Sequence, residues 1–238
     1  MNKKIIFIIF FSFLFSFGSR SQILEGAMKL VSPGKTGLTE KDAADGIREA
    51  LIKGTGESVA LVSKMDGYFK NPEIKIPFPP SAREIETKLR AIGLGSQVDE
   101  AIVAINRAAE DAAKEAEPIF VAAVQKMTIS DALHIVSGQQ DAATHYLSGA
   151  TTPDLKVKFT PVIKASLDRV NATKYWADLV KAYNKIPFVS KQNPDLTAYC
   201  TDKAISGLFI MIAKEEVKIR QNPAARTSEL LKKVFGTR

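Results

Sequence analysis

Apolar residues recur at steps of three and four along almost the whole chain, which is the spacing of one face of an α-helix. Only one long segment departs from this pattern. We therefore predict an all-α fold, a single-domain multi-helix bundle of about nine helices with at most a short hairpin. The first helical stripe follows Thr39 and runs through Ile47, Leu51, Gly54, Ser58, Leu61 and Met65.

The exception is the segment 66–80, DGYFKNPEIKIPFPP, which cannot be helical because it contains four prolines. Each proline lacks an amide donor and pushes the preceding residue toward extended geometry. Ile74, Ile76 and Phe78 are each separated by one residue, so an extended backbone places them on one side. We predict an extended Pro-rich arm that either packs on the helices or serves as a lid or an edge for a partner.

Glycine and proline also predict where helices end. Gly54 and Gly56 lie inside the first helical stripe, which indicates either a break there or the close approach of another backbone. Thr152 followed by Pro153 is typical of a helix start, and Pro161 predicts a kink or a restart. The region 130–170 is therefore expected to consist of several short helices, whereas the apolar spacing from Ala204 to Ile219 predicts a long one.

The first 21 residues have the layout of a secretory signal peptide. Two lysines precede the apolar run 5–17, and a pattern of small residues ends at Ser21. The run is shorter than the about 20 residues that cross a bilayer, so a permanent membrane anchor is the weaker alternative. We expect cleavage after about Ser21, a periplasmic location without a lipid-modified cysteine, and a single helical domain over 22–238 with no transmembrane span.

The charge and the single cysteine limit the function further. Loss of the three basic residues of the signal peptide lowers the net charge from +7 to +4, and the remaining charges of both signs are interspersed. Nucleic-acid binding needs clustered basic residues with stacking aromatics, so no nucleic-acid partner is expected. Cys200 is the only cysteine, and an exported chain without a disulfide depends on its hydrophobic core for stability.

Two acid–histidine pairs have a spacing used in metal or acid–base sites. Asp131 and His134 are three residues apart, and Asp141 and His145 are four apart, so each pair shares one helix face. The first turn of a helix also favours a carboxylate without any chemistry, and no third ligand is evident. We therefore predict no metal site and no cofactor here.

An alanine-rich helix carries a stripe of polar residues that includes Asn106, Glu110 and Glu117. Carboxylates on such a stripe can bind a metal in a helical bundle, or they can form a solvated face of salt bridges with Arg107 and Lys114. The first possibility supports an alternative function, a metal-dependent or acid–base hydrolase. Its residues would be Glu110, Glu117, Asp141 and His145.

Cys200 lies near a predicted helix start, where the helix dipole would lower the pKa of the thiol and activate it as a nucleophile. An unreactive, partly buried thiol is the other possibility. The chain contains neither a G-x-S-x-G motif nor a phosphate-binding glycine loop. The sequence therefore assigns no catalytic residue.

Four blocks of sequence resemble successive blocks of the bacterial domain of unknown function 4197 family. They are 66–79, 105–120, 129–147 and 204–236, and the similarity extends over 38–236. The resemblance implies an exported, single-domain protein without an assigned activity. The two histidines and Cys200 lie outside the pattern that the resemblance implies, which weakens the acid–base and thiol hypotheses.

The polar residues that match the family pattern are our candidate ligand-binding residues. A bundle core tolerates such groups only when they satisfy one another, so they form either a sealed structural network or the lining of a pocket. The seven candidates are Asn106, Arg107, Glu117, Asp141, Thr144, Tyr146 and Arg226.

The functional expectation is an exported helical protein that binds a small ligand or an envelope partner. Its polar-lined cleft would lie near Arg107, Asp141 and Tyr146, with the 66–80 arm at the edge. The alternatives are the hydrolase described above and a purely structural envelope protein.

Overall fold

The all-α prediction is confirmed by a computed structural model: within the residues that it describes, the chain forms eight α-helices and no strand. The predicted signal peptide and Arg226 lie outside those residues. The described residues are 39–79, 82–91, 93–185, 187–188, 191, 193, 195–225, 232 and 234.

The helices form one packed bundle. α6 packs along both α3 and α8, while α1 covers this group by contacting α4, α5 and α8. A short 3-10 turn, Pro223–Ala225, follows the last helix. The helices are α1 (Glu40–Val62), α2 (Arg83–Ala91), α3 (Gly95–Ala113), α4 (Ala116–Lys126), α5 (Ile129–Ser137), α6 (Ala142–Arg169), α7 (Ala172–Tyr183) and α8 (Leu196–Gln221).

In the centre of the bundle, small side chains of α3 and large side chains of the other helices pack together. On α3, Ala108, Ala109, Ala112 and Ala113 are completely buried. Their small side chains allow neighbouring backbones to approach, as the alanine-rich pattern predicts. Large residues from the other helices fill the remaining core, with Phe120, Phe159, Ile163, Leu167 and Leu208 fully buried.

Two helices are longer than the sequence predicts. α1 continues without a break through Gly54 and Gly56. A Cβ atom at Gly54 would lie 3.5 Å from the Cδ1 atom of Ile219, an ordinary van der Waals distance, and a Cβ atom at Gly56 would have nothing within 4 Å, so neither the predicted break nor a close backbone approach accounts for these glycines.

α6 likewise continues through Pro153 and Pro161, so the restart predicted at these residues was wrong. Each proline leaves the carbonyl four residues earlier without its helical donor. Those carbonyls belong to Gly149 and Val157, both of which are exposed, so water can supply the missing donor. The merging of segments explains why the described part contains eight α-helices where about nine were expected.

One helix in the described part, α8, is long and apolar enough to cross a membrane on length and composition alone. Half of its apolar window is buried inside the bundle, and its inward face includes Ile205, Leu208 and Ile212. The pair α4 and α5, bent by 104°, passes the same test only if counted as one span.

The predicted non-helical arm packs on the bundle. Its first half consists of turns closed by hydrogen bonds such as Lys75 N–H to the Asn71 carbonyl at 2.8 Å, so only its second half is extended. Ile74 and Ile76 are buried and Phe78 packs against the core, which confirms the predicted apolar side. Gly207 on α8 makes room for the arm, since a Cβ atom there would lie 2.8 Å from the ring of Tyr68.

Candidate functional site

The start of the arm is held by one buried carboxylate. Glu110 on α3 accepts hydrogen bonds at its Oε1 atom from the backbone N–H groups of Tyr68 and Phe69, each at 3.1 Å. Its Oε2 atom accepts a bond from Arg107 at 2.6 Å. One carboxylate oxygen therefore ties the arm to α3, and the other binds Arg107 on the same helix.

Arg107 connects this carboxylate to a second one on the arm. Its Nη2 atom donates to Asp66 at 2.5 Å, and its guanidinium carbon lies 5.6 Å from the ring centre of Phe69. Asp66 has a positive φ of 68°, in the left-handed region that starts the turn. Hydrogen bonds from Arg107 and then Lys70 lower the pKa of the Asp66 carboxyl.

Asn106, the neighbour of Arg107, holds the extended half of the arm. Its side-chain amide accepts from the N–H of Ile76 and donates to the carbonyl oxygen of the same residue, both at 2.8 Å. Tyr68 adds a further anchor by donating its hydroxyl proton to the Ala204 carbonyl at 2.6 Å. Burial raises the pKa of the Tyr68 phenol, so this group remains a donor.

These contacts assign a structural task to two of the seven predicted ligand-binding residues. Asn106 and Arg107 bind the chain's own arm, as a structural network would require. Ligand binding by either residue stays a prediction. Their demonstrated effect on any site is indirect, because they determine where the end of the arm lies.

Thr144 belongs to a different network at the start of α6. Glu216 on α8 accepts bonds from the N–H groups of Ala143 and Thr144 and from the Thr144 hydroxyl, at 2.9–3.0 Å. Arg220 donates to the same carboxylate at 2.7 Å and to the Ile135 carbonyl at 2.9 Å. Glu216 therefore caps α6, where unpaired amides favour a negative charge.

Sequence reasoning missed Glu216, although a signal was present. It continues the spacing of Ile205, Leu208 and Ile212, so it stands at a core position of an otherwise apolar stripe. A carboxylate at such a position needs a buried partner. The partner, the start of α6, lies more than 70 residues earlier in the chain.

The remaining predicted residues are dispersed. Asp141 precedes α6 and lies 3.1 Å from the exposed His145, while Glu117 is exposed on α4. Tyr146 is half-buried, and desolvation raises its phenol pKa. Arg226 lies outside the described residues. Within the described ranges, no hydrogen bond or ion pair joins Arg107, Glu117, Asp141 and Tyr146 to one another, so ligand binding by this set stays a prediction.

Two of the residues considered for catalysis, Asp131 and Cys200, have structural roles or positions. Asp131 caps α5 through a reciprocal pair of bonds with Thr128, at 2.9 and 3.1 Å, which supports the capping interpretation. Cys200 is fully buried within α8, and burial raises its thiol pKa to about 12. This supports the unreactive, buried thiol over the activated one, because desolvation outweighs the helix dipole. The described part of the chain contains no group of three or more His, Cys, Asp or Glu residues placed to hold a metal.

A large groove lies where the arm ends. It is a groove of about 770 Å³ between the start of α3, the junction of α6 and α7, and the last residues of the arm. We call it the apolar groove. Its apolar lining includes Phe78, Leu94, Val98, Ala101, Val170 and Trp176.

Aromatic residues form one wall of the apolar groove. The rings of Phe78 and Trp176 meet edge to face, with centroids 5.4 Å apart and planes at 83°. Trp176 also donates its indole N–H to the Asn193 carbonyl at 3.3 Å, so its position is determined from two sides. Leu94, Val170 and Tyr175 remain 37%, 52% and 64% exposed, which leaves apolar surface open to a ligand.

A second groove of about 460 Å³ lies between α4 and α6 and includes Tyr146. Its described lining carries charges of both signs, with Glu115 and Asp154 beside Lys126 and Lys158. A third cavity, next to Glu216, holds only about 30 Å³, the volume of one water molecule. Both grooves have the size of a ligand pocket, and the apolar groove has the more apolar surface of the two.

Comparison with known proteins returns one family. A family model described as protein of unknown function (DUF4197) matches residues 37–236, which is most of the chain. No curated protein matches, and no solved structure matches.

Proposed function

This chain belongs to the DUF4197 family, and we propose that it is an exported, periplasmic protein that binds a small molecule with an apolar body in the apolar groove. The observation that supports binding is the groove itself. Its volume of about 770 Å³ lies within the range of about 300–1,000 Å³ found for small-molecule sites.

The composition of the groove supports the same proposal. Leu94, Val170 and Tyr175 expose apolar surface beside one another, and such surface is costly in water unless it has a function. The aromatic wall is rigid because Trp176 packs on Phe78 and bonds to Asn193. A rigid wall loses little conformational entropy when a ligand binds.

The predicted polar residues contribute to this site by positioning. Asn106 binds Ile76, two residues before Phe78, and Arg107 and Glu110 hold the start of the arm. Together these contacts place Phe78 against Trp176. The arm therefore lies at the edge of the apolar groove, which is a different place from the polar-lined cleft near Arg107, Asp141 and Tyr146 that the sequence analysis expects.

Binding can be followed through the only tryptophan of the chain, Trp176, which lines the apolar groove. N-phenyl-1-naphthylamine, a neutral apolar fluorophore, should accept excitation energy from Trp176 when it binds. We expect saturable transfer with one site per chain. Linear, non-saturating transfer would contradict the proposal.

Two matched substitutions locate the binding site. Ala101→Phe fills the apolar groove and should abolish the saturable signal, whereas Ala122→Phe fills the groove between α4 and α6 and should leave it unchanged. Equal melting temperatures for both variants control for folding. Loss of binding in Ala122→Phe alone would assign the ligand to the second groove and overturn the proposal.

The proposed export rests on the signal-peptide pattern and is tested separately. We expect mature protein from the periplasmic fraction of an expressing bacterium to begin at Gln22, as measured by intact mass. A cytoplasmic protein that retains residues 1–21 would contradict export and would leave the binding proposal untouched.

A further inference from the structure

We infer that the ligand of the apolar groove carries a positive charge, as an alkylammonium or quaternary ammonium group attached to its apolar body. This inference rests on the proposed function and specifies the chemistry of the same site. The charged residues at the rim and the aromatic wall support it.

The charged residues of the described lining all have one sign. Glu100 and Asp178 line the apolar groove, and no lysine or arginine is among the described residues that do so. The described lining also contains the long, uncharged polar side chain of Gln97. A site with only negative formal charge attracts a cation and repels an anion.

These two carboxylates are also available to a ligand. In the described part of the chain, neither Glu100 nor Asp178 has a basic group within 4.0 Å, and both are exposed. The carboxylate next to Glu100 differs in this respect. Asp99 forms an ion pair with Arg90 at 2.7 Å. The bundle thus pairs the carboxylate next to Glu100 and leaves Glu100 facing the groove.

The aromatic wall favours the same kind of ligand. The faces of Phe, Tyr and Trp rings carry partial negative charge and attract ammonium groups, most of all those that are weakly hydrated. Tyr175 is the most exposed of the groove's aromatic residues, and Phe78 and Trp176 lie beside it in the lining. A methylated ammonium group can contact these rings and the rim carboxylates while its alkyl chain lies on Val98 and Ala101.

Three amphiphiles with one chain length test this inference through Trp176 fluorescence. They are octyltrimethylammonium, the neutral octyldimethylphosphine oxide and the anionic octanesulfonate, each used below its micelle concentration and at constant ionic strength. We expect the ammonium compound to bind at least about tenfold more tightly than the neutral one, and the sulfonate to bind most weakly.

A double variant tests the role of the rim. Glu100→Gln with Asp178→Asn removes both charges with little change in shape, and exposed positions of this kind leave the fold intact. We expect the variant to lose the preference for the ammonium compound and to keep its affinity for the phosphine oxide. The matched control, Glu49→Gln, removes an exposed carboxylate on α1 that lines none of the three cavities and should keep the preference.

The outcomes separate this inference from the proposed function. If the three amphiphiles bind equally, or if the double variant keeps the preference, the inference is overturned and the proposed binding function stands. If no amphiphile and no neutral fluorophore binds, both fail. Tighter binding of the sulfonate overturns the inference alone.

Discussion

Asn106 and Ile76 exchange the pair of hydrogen bonds that a neighbouring β-strand would supply. The Asn106 amide oxygen accepts from the Ile76 N–H, and its amide nitrogen donates to the Ile76 carbonyl, both at 2.8 Å. The same nitrogen donates to the Ile102 carbonyl at 2.8 Å. One buried side chain on a helix thus satisfies the extended backbone of the arm, which would otherwise be costly to bury.

Asn106→Asp should destabilise the protein strongly. The carboxylate keeps the acceptor for the Ile76 N–H but loses both donated bonds and places a negative charge against two carbonyl oxygens. We expect a loss of about 3 kcal/mol in the free energy of unfolding, measured by urea titration. Asn222→Asp is the matched control, because Asn222 is exposed and its described side-chain bond uses only the acceptor. Equal stability of both variants would show that the Asn106 donors are unimportant.

Glu110→Gln tests the carboxylate that holds the start of the arm. The amide keeps one oxygen for Tyr68 and Phe69 but turns a donor toward the Arg107 guanidinium. Since Glu110 is buried, we expect destabilisation of about 2–4 kcal/mol and faster tryptic cleavage within the arm. Glu117→Gln, at an exposed position on α4, should change stability by less than about 0.5 kcal/mol. A wild-type cleavage rate in Glu110→Gln would mean that the arm is held by its other contacts.

Asp66 should make stability depend on pH in acid. Hydrogen bonds from Arg107 and Lys70 lower its folded-state pKa below the unfolded value of about 3.9, so the folded state favours the ionised form. Its stabilising effect is present above that unfolded pKa and is lost as the pH falls through the folded pKa. Asn tolerates the left-handed backbone of this position, so Asp66→Asn removes the charge without backbone strain.

The measurement is the free energy of unfolding between about pH 5 and pH 2. Wild type should lose stability more steeply below about pH 4 than Asp66→Asn. Asp154→Asn, which removes an exposed carboxylate without a described ion pair, should keep the wild-type slope. Parallel curves for wild type and Asp66→Asn would contradict the ion pair with Arg107.

Cys200 should be unreactive in the native protein. Its side chain is completely buried, and burial raises the thiol pKa to about 12, so little thiolate is present and no reagent can approach it. We expect Ellman's reagent at about pH 8 to label the protein only after guanidinium chloride unfolds it. Rapid stoichiometric labelling under native conditions would restore the nucleophile hypothesis.

Local patterns predicted the elements well where a local physical cause operates. The first helical stripe was predicted to follow Thr39, and in the structure Thr39 caps α1 through a reciprocal pair of hydrogen bonds with Asp42. The alternation of Ile74, Ile76 and Phe78 predicted the buried side of the arm correctly. Each of these features depends on residues only a few positions apart.

Sequence patterns gave wrong predictions where the exposure or burial of a residue in the fold determines its behaviour. Pro153 and Pro161 are strong signals for a break, yet α6 passes through both because the affected carbonyls face water. The dipole argument for Cys200 failed because the residue is buried. Exposure and burial depend on how the helices are arranged, which the local sequence does not contain.

The candidate site shows the same division. Asn106 and Arg107 stood out as polar residues on an alanine-rich helix, but their partners on the arm are 30 and 41 residues earlier. The apolar groove combines parts of α3, α6, α7 and the arm, and none of its residues forms a motif with another. Its acidic rim was therefore not visible in the sequence.

The amino-acid sequence by itself determined that this chain is helical, where its first helix begins, and that 66–80 interrupts the helices. These properties follow from side-chain periodicity, capping and the missing amide of proline, all of which act over a few residues. Only the tertiary structure decided that Glu110 and Asn106 bind the arm, that Glu216 caps α6, and that an apolar groove opens beside Trp176. These depend on which distant surfaces meet when the chain buries its apolar stripes.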